Sequence, residues 1–334
     1  MKLSEIGEFG LIDLLTRDLV YDRSRVIVGI GDDTAVLKTD GDRWLLFTTD
    51  MMVEGVHFSF DYSSPEQVGK KALAVNVSDI AAMGGRPVHA VVSMAVRPDL
   101  AVEKLEALYQ GLKEAAKEYG VNIVGGDMVQ NPERLVISVA LIGDVAAGCA
   151  VYRSGARAGD GVYVTGTLGA AAAGLYLFSN PNTACSPEAA GYCRSSHCEP
   201  VARMAAGQAL SGCGAGALDD ISDGLASEMH EICGASGTGC RIWAAALPID
   251  DRVREVAAAA GLDPLEWALF GGEDFELVYT AEPAAGEKIR ETLQKTGVKV
   301  HRVGEITTPE EGLLLITKEG IQPLLRSGYD HFNL

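Results

Sequence analysis

The sequence predicts an α+β protein of two mixed α/β domains, and three observations carry that expectation. Strand-like and helix-like segments alternate through both halves of the chain. A polar, glycine-bearing segment, residues 152–160, interrupts the alternation near the middle. The length of 334 residues suits about two domains of ordinary size. The boundary is therefore placed between an N-terminal domain over residues 1–150 and a C-terminal domain over residues 151–334.

Taken in order, residues 4–16 read as an entry helix with Ser4 as its candidate N-cap. Residues 25–28, 35–37 and 44–49 read as strands. Ser64-Pro65-Glu66 is a strong helix start: a capping hydroxyl, proline at the first position, then an acid. That helix runs to Met83 and stops at Gly84-Gly85. A strand over 88–96, a helix over 102–119 ended by Gly120, and a strand over 121–124 leading into Gly125-Gly126-Asp127 follow. A strand over 135–145 closes the first half. The second half restarts with a strand over 161–165 and a helix over 170–178. Residues 179–196, rich in Asn, Pro, Ser and Cys, read as irregular. Helices are expected over 200–210, 222–233, 251–260 and 284–296, and strands over 215–218, 275–280, 298–303 and 312–316.

Composition narrows the class. At 47% hydrophobic and 22% charged, the chain is a soluble globular protein able to bury a core. No apolar run reaches the roughly 18 residues that span a bilayer, and Glu5, Glu8 and Asp13 rule out a secretory signal at the start, so a cytoplasmic protein with no membrane partner is expected. A formal charge of −18 argues against nucleic acid, whose backbone needs a basic face. It suits a protein that handles anions through metal ions. The seven cysteines all lie at or beyond Cys149 and form no C-x-x-C. Free thiols in a reducing compartment are expected. Cys185, Cys193, His197 and Cys198 are too irregularly spaced for a zinc cluster.

Acids recur at the ends of elements. Gly29-Ile30-Gly31-Asp32-Asp33 follows a β-type run, and its glycines permit a tight turn. Alone, Gly-Asp-Asp is also ordinary turn chemistry. Thr48-Thr49-Asp50 closes a strand. Asp79 sits in an otherwise apolar helix, with Asn76 on the same face, where an unpartnered charge would be costly. Asp127 follows a double glycine, Asp219-Asp220-Ile221-Ser222-Asp223-Gly224 repeats the arrangement, and Gly271-Gly272-Glu273-Asp274 repeats it again. Each has a bland counterpart as a cap or a turn. Together they are what a site for several magnesium ions requires, since magnesium takes oxygen ligands and is held by a few carboxylates plus substrate phosphates. The usual nucleotide motifs are absent: Val68-Gly69-Lys70-Lys71 comes nearest to a phosphate-binding loop but lacks its first glycine and its final Ser or Thr.

These residues resemble the thiamine-monophosphate kinase family. The likeness rests on Gly29 to Asp33, on Thr49-Asp50-Met51-Met52-Val53-Glu54-Gly55-Val56-His57-Phe58, and on the stretch from Lys71 to Gly84 that contains Asn76 and Asp79. It continues through Gly125-Gly126-Asp127, Thr165-Gly166-Thr167-Leu168-Gly169, Asp220-Ile221-Ser222-Asp223-Gly224-Leu225, Gly271-Gly272-Glu273-Asp274-Phe275-Glu276-Leu277 and Gly328-Tyr329-Asp330-His331-Phe332. The motifs keep their order and cover nearly the whole chain. The resemblance implies domains of the aminoimidazole-ribonucleotide-synthetase type and a homodimer formed by the N-terminal domain. It implies the reaction of ATP, as co-substrate, with thiamine monophosphate to give ADP and thiamine diphosphate. By motif position it implies several Mg2+ ions held by Asp33, Asp50, Asp79, Asp127, Asp220 and Asp223, with Thr48 and Thr49 assisting. Tyr109, Gly126, Asp127, Arg153 and Ser222 would touch ATP, and His57, Glu273 and Tyr329 would face the thiamine phosphate. The segment 185–198 departs from the family's look: it carries cysteines where a basic, proline-containing stretch is expected, and only Pro200 and Arg203 keep that character.

The chemistry is consistent with that set. A phosphate acceptor has its second pKa near about 6 and is mostly deprotonated at neutral pH, so no general base is needed. Repulsion between two anions is the obstacle, and metal ions with fixed positioning meet it. Direct in-line transfer without a phosphoenzyme is expected. Another ATP-using member of the superfamily, making a phosphorylated intermediate for amide, selenium or carbamoyl chemistry, is the rival enzyme reading. The selenium and carbamoyl members rely on a reactive residue near the N-terminus or on a C-terminal cysteine. The absence of any cysteine before Cys149, and the ending His331-Phe332-Asn333-Leu334, count against both. A non-catalytic acidic cation binder would leave Thr48, Thr49 and the paired glycines without a role.

Overall fold

The computed structural model describes residues 7, 10–12, 14–16, 18–295 and 297–329. The helix expected over 4–16 falls partly outside them, Ser4 included. The N-terminal half is built from β1 (Val26–Val28), β2 (Ala35–Leu37), β3 (Arg43–Val53), α1 (Pro65–Ala82), β4 (Arg86–Val96), α2 (Val102–Tyr119), β5 (Asn122–Gln130) and β6 (Val136–Ala146). Its six strands lie in the order β1-β2-β3-β6-β4-β5. All neighbours are antiparallel except β4 and β5. The C-terminal half holds β7 (Gly161–Thr165), α3 (Ala170–Ser179), α4 (Pro187–Cys198), α5 (Met204–Leu210), β8 (Leu218–Asp220), α6 (Leu225–Ser236) and β9 (Gly239–Trp243). It continues with α7 (Asp251–Ala260), α8 (Pro264–Phe270), β10 (Leu277–Ala281), α9 (Pro283–Gln294), β11 (Val300–Thr307), β12 (Leu313–Ile316) and β13 (Ile321–Pro323). Its seven strands run β13-β12-β9-β11-β7-β10-β8.

Helix α1 is the element both halves share. It starts as the sequence dictates: Ser64 Oγ accepts from the Gln67 backbone N at 3.3 Å, and Gln67 Oε1 accepts from the Ser64 N at 2.9 Å, a reciprocal capping box with Pro65 in the first turn. One side packs on β3 and β6, and the other meets α5 and β8 of the second half. Its apolar residues Val68, Ala72, Leu73, Val77 and Ile80 are all buried, so burial rather than amphipathic contrast holds it. Against α2 the backbones nearly touch. A Cβ at Gly111 would lie 1.9 Å from the Glu66 carbonyl oxygen, and one at Gly69 would lie 2.0 Å from that of Leu108.

The first sheet buries one face under α1 and leaves the other open. Strand β3 alternates, with Leu46 and Thr48 buried and Leu45, Phe47 and Met51 exposed. Val91 and Ile142 sit on the same open face, in rows with Thr49 and Phe47.

Several elements differ from the sequence expectation. Strand β3 runs on to Val53, so Asp50 lies inside it rather than after its end. Strand β5 extends through Gly125-Gly126-Asp127, which are paired with Val91, Val92 and Ser93 instead of forming a turn. The stretch 187–198 is helical: Ser186 caps it, Pro187 opens it, and Cys193 and Ala189 bury into a small core with Ala173 and Leu177 of α3. Strands β9 and β13 and helix α8 were not expected. Each is short, and their periodicity is too brief to separate from loop.

Two glycine substitutions separate packing from propensity. Gly111→Ala should destabilise the protein by about 1–3 kcal/mol through overpacking against α1. Gly234→Ala, on α6 where a Cβ meets nothing within 4 Å, should be neutral or stabilising by up to about 1 kcal/mol. Urea denaturation midpoints measure both, and equal effects would remove the close-approach argument.

Candidate active site

Four elements deliver carboxylates to one place. The turn after β1 brings Asp33, β3 brings Asp50 and Thr48, the last turn of α1 brings Asp79, and the end of β8 brings Asp219 and Asp220. The Thr48 hydroxyl donates to Asp79 Oδ2, and the Ser78 hydroxyl donates to Asp220 Oδ2, joining α1 to both sheets. The Asp50 backbone N donates to Asn76 Oδ1 at 3.0 Å. Asn76 is therefore the residue that ties β3 to α1 at the acid cluster, while its Nδ2 donates to the Ala72 carbonyl one turn back at 3.1 Å.

The cluster has one strongly held cation. Arg153 Nη2 lies 2.5 Å from Asp33 Oδ1, its Nε lies 3.1 Å from Asp219 Oδ2, and its Nη1 lies 3.9 Å from Glu231 Oε2. Burial works against the guanidinium charge, but Asp219, Asp33, Glu228 and Glu231 overcome it and hold its pKa above the usual arginine range. One arginine does not balance the set. Burial, then the neighbouring Asp33 charge, pushes Asp50 up to about 6 and Asp220 up to about 8. Burial, then Asp50, Asp220 and Asp33, pushes Asp79 well above the carboxylate range. Asp32 rises to about 7 through burial and its neighbour Asp33, although its carboxylate accepts from the Arg153 backbone N at 3.3 Å.

Asp33 Oδ2 and Asp219 Oδ1 are buried without a hydrogen-bond partner, and Asp219 Oδ2 has only its ion pair with Arg153. Asp33, Asp219 and Asp220 can each present one oxygen so that all three lie within 4.8 Å of one another. Unsatisfied oxygens on crowded carboxylates, with hydroxyls at hand and no sulfur or imidazole among them, fit a hard divalent cation such as magnesium.

A cleft of about 800 Å³ opens beside the cluster. Asp50, Asp79, Thr49, Ser222 and Asp223 border it at the acidic side. His57, Glu273 and Tyr329 border it as well, so Asp50, Asp79 and Asp223 share one cavity with the residues expected at the substrate, while Asp33, Asp219 and Asp220 are not part of its lining. Lys71, Val75 and Asp79 of α1 all line it, four residues apart, so one face of the helix forms its floor.

Toward the other end of the cleft sits a second charged group, in which Glu273 was expected at the substrate while Lys71 and His197 were not expected at the site. Lys71 Nζ, only 2% exposed, lies 2.7 Å from Glu273 Oε1, and His197 Nδ1 lies 3.0 Å from Glu273 Oε2. Burial opposes the Glu273 charge, but Lys71 and His197 more than offset it and lower its pKa to about 2. Lys71 also donates to the His57 carbonyl at 3.0 Å, and His57 Nδ1 accepts from the Val53 N at 3.0 Å. Glu273 is held with φ +69°, an uncommon conformation for a side chain of its kind, by its N donating to the Ser222 carbonyl at 2.7 Å. The Ser222–Asp223 turn thus carries both the Glu273 loop and Tyr329, whose N donates to the Asp223 carbonyl at 3.3 Å.

Four expected site residues have their side chains or positions away from the cluster in the single chain: Thr49, on the open face with its hydroxyl donating to the Val139 carbonyl at 3.0 Å, and Asp127, Gly126 and Tyr109. Asp127 is exposed on the edge strand β5, in the row Met51–Ser138–Ser93–Asp127, three strands or roughly 14 Å from β3. It sits on the open face, opposite Asp50, and its carboxylate accepts from the Met128 N at 2.9 Å. Gly126 lies against the Val92 carbonyl, where a Cβ would be 1.8 Å from the oxygen, so backbone approach already requires glycine there. Tyr109 packs half-buried against the first core from α2. Asp219 was noted in the acid pattern but not assigned as a ligand, because the motif carrying the resemblance begins at Asp220. Among the described residues no cysteine joins a metal-type cluster: Cys198 Sγ contacts Ser63 Oγ at 3.3 Å and His197 faces Glu273.

The chain matches the model of the AIR synthase related protein N-terminal domain over residues 31–145 and that of the C-terminal domain over residues 157–315. It is 38% identical to the thiamine-monophosphate kinase of Bacillus subtilis (strain 168), over 98% of this chain and 100% of that protein. It is 37% identical to the thiamine-monophosphate kinase of Escherichia coli (strain K12), over 98% of each. The structure of AaThiL complexed with AMPPCP and TMP superposes with a TM-score of 0.87 at 36% identity, covering 99% of both chains. Among the described residues no helix is long and apolar enough to cross a membrane.

The raised carboxylates set a pH dependence. Their pKa values are higher folded than unfolded, so the folded state binds more protons, and stability present near pH 4 is lost as pH rises through about 6 to 8. The melting temperature of the metal-free protein should fall between about pH 5.5 and 8.5, and magnesium should raise it more at the alkaline end. Scanning fluorimetry across that range tests this; a rise with pH, or a magnesium effect independent of pH, would refute it.

Proposed function

The chain belongs to the thiamine-monophosphate kinase family, and from that premise we propose that it phosphorylates thiamine monophosphate to thiamine diphosphate with ATP, in the cytoplasm, by direct in-line transfer. One observation supports the reading: Asp50 and Asp79, the part of the acid cluster that lines the cleft, and the Glu273, His57 and Tyr329 group border the same cavity along one face of α1. Asp33, Asp50, Asp79, Asp219 and Asp220 would hold magnesium, with Thr48 orienting Asp79 and Ser78 orienting Asp220. Magnesium held by these residues would supply the positive charge that offsets repulsion between the acceptor and donor phosphates.

The chain's own residues do the rest. Arg153 fixes Asp33 and Asp219 and keeps a positive charge beside the nucleotide end. Ser222 and Asp223, at the start of α6, border the cleft where the phosphates meet. Glu273, kept ionised by Lys71, would lie at the thiamine end of the cleft with His57 and Tyr329. No side chain is assigned as a base, because the acceptor phosphate is already deprotonated near neutral pH.

The open sheet face supports a homodimer. Leu45, Phe47, Met51, Val91 and Ile142 are exposed apolar residues on one side of β3, β4 and β6, the kind of face a partner subunit would cover. Asp127 shares that face, so a place for it in the nucleotide site would depend on pairing of the N-terminal halves.

Two tests follow. With ATP, magnesium and thiamine monophosphate the protein should yield ADP and thiamine diphosphate, and Asp50→Asn should lower turnover by at least about 100-fold while melting no lower than the parent; failure of the parent to form the diphosphate at micromolar enzyme removes the proposal. Ile142→Asp should convert a dimer into a monomer in light scattering, and a parent that is itself monomeric contradicts the assembly.

A further inference from the structure

The helical segment that departs most from the family's look ends inside the cleft. Helix α4 is anchored at its start by Glu255, whose carboxylate accepts from the Ser186 N at 2.5 Å and the Ser186 hydroxyl at 3.1 Å. At its end Cys198 packs on Ser63. Between these anchors His197 is 2% exposed yet borders the cleft. Its ring lies tilted against the stacked pair of Tyr62 and Phe178, at centroid distances of 5.8 and 5.9 Å, while those two rings stack on each other at 4.2 Å. Its Nδ1 is committed to Glu273, and its Nε2 has no hydrogen-bond partner. A buried ring nitrogen left unpaired beside a cavity is a costly feature unless a ligand meets it.

The floor of the cleft measures the distance to the chemistry. Lys71 and Asp79 are eight residues apart on α1, about 12 Å at 1.5 Å per residue. Val75 lies between them and lines the same floor. One end of the cleft is acidic and suited to metal-bound phosphate, the middle is apolar, and the far end holds Lys71, Glu273 and His197. A ligand that puts its phosphate at Asp79 places its other end against that group. Lys71 already neutralises Glu273. A neutral imidazole, with Nδ1–H donating to the carboxylate, leaves the buried group without net excess charge and leaves the Nε2 lone pair as an acceptor.

We propose that His197 is a specificity-determining residue whose Nε2 accepts a hydrogen bond from the exocyclic amino group of the substrate's aminopyrimidine, with Glu273 and the Tyr62–Phe178 stack fixing its tautomer and orientation. This deepens the kinase reading and rests on it. An exocyclic amine donates to Nε2, whereas a carbonyl in its place sets two acceptors against each other in a dry site.

The test compares thiamine monophosphate with oxythiamine monophosphate, in which oxygen replaces that amino group. Both are titrated calorimetrically into the full-length protein with AMPPCP and magnesium. The parent should prefer thiamine monophosphate by about 10- to 100-fold. His197→Asn, which keeps a donor near Glu273 but lacks the outer nitrogen, should bring the two affinities to within about threefold, with the affinity for AMPPCP unchanged. His197→Gln, whose amide can turn either oxygen or nitrogen to the ligand, should also lose the preference, so either folded variant serves. Equal binding of the two ligands by the parent, or an unchanged preference in a folded variant, overturns the assignment even if turnover is normal. Preferential binding lost in the variants, without formation of thiamine diphosphate by the parent, keeps the contact and removes the kinase reading. Binding of neither ligand by the parent removes both.

Discussion

Mutual repulsion among buried carboxylates is the constraint on which this structure turns. Asp33, Asp50, Asp79, Asp219 and Asp220 come from elements far apart in sequence and share a low-dielectric space with one arginine close by. Left ionised and unpaired, they would drive the two halves apart. Three polar devices hold them in place. Thr48 and Ser78 each donate to a carboxylate across an element boundary, Asn76 ties β3 to α1, and Arg153 bridges the β1 turn to the end of β8. The remaining imbalance is the physical reason the site suits a divalent cation, and the same imbalance underlies the expected pH response of the metal-free fold.

Helix α1 converts that cluster into a site with direction. Because its residues recur every 3.6 positions, Lys71, Val75 and Asp79 line one cleft as a charged, an apolar and a charged station. The cationic end is not free to bind anions: Lys71 is held by Glu273 and by the His57 carbonyl. Such a gradient orients an elongated ligand before any chemistry occurs, and orientation with electrostatics is what transfer between two phosphates requires. The absence of a base in the proposed mechanism follows from the acceptor, not from a shortage of candidate side chains.

The second half contributes mainly by holding loops still. The Ser222–Asp223 turn accepts the Glu273 N and the Tyr329 N, and it leads directly into α6. Glu276, one turn further on, is locked between Arg203 Nε at 2.6 Å and the Thr165 hydroxyl at 2.6 Å. The strained backbone at Glu273 survives because these partners over-determine it.

Local chemistry was legible in the chain. The Ser64-Pro65 start of α1 and the strand–helix alternation follow from capping and periodicity. The acids at Asp33, Asp50, Asp79 and Asp220 stood out because charge in apolar or glycine-flanked settings demands a partner. What stayed hidden depends on contacts between distant segments. Lys71 looked like part of an incomplete phosphate loop until Glu273, some two hundred residues away, proved to be its counter-ion. The cysteine-bearing stretch read as loop because its burial comes from α3, not from its own pattern. Asp127 looked like its fellow acids, yet the pleat of β5 places it on the opposite face. The sequence by itself determined which residues carry charge and where helices begin, since those are properties of neighbours along the chain. Only the tertiary structure decided which charges meet, because an ion pair depends on distance through space, and that is set by how the two sheets close around α1.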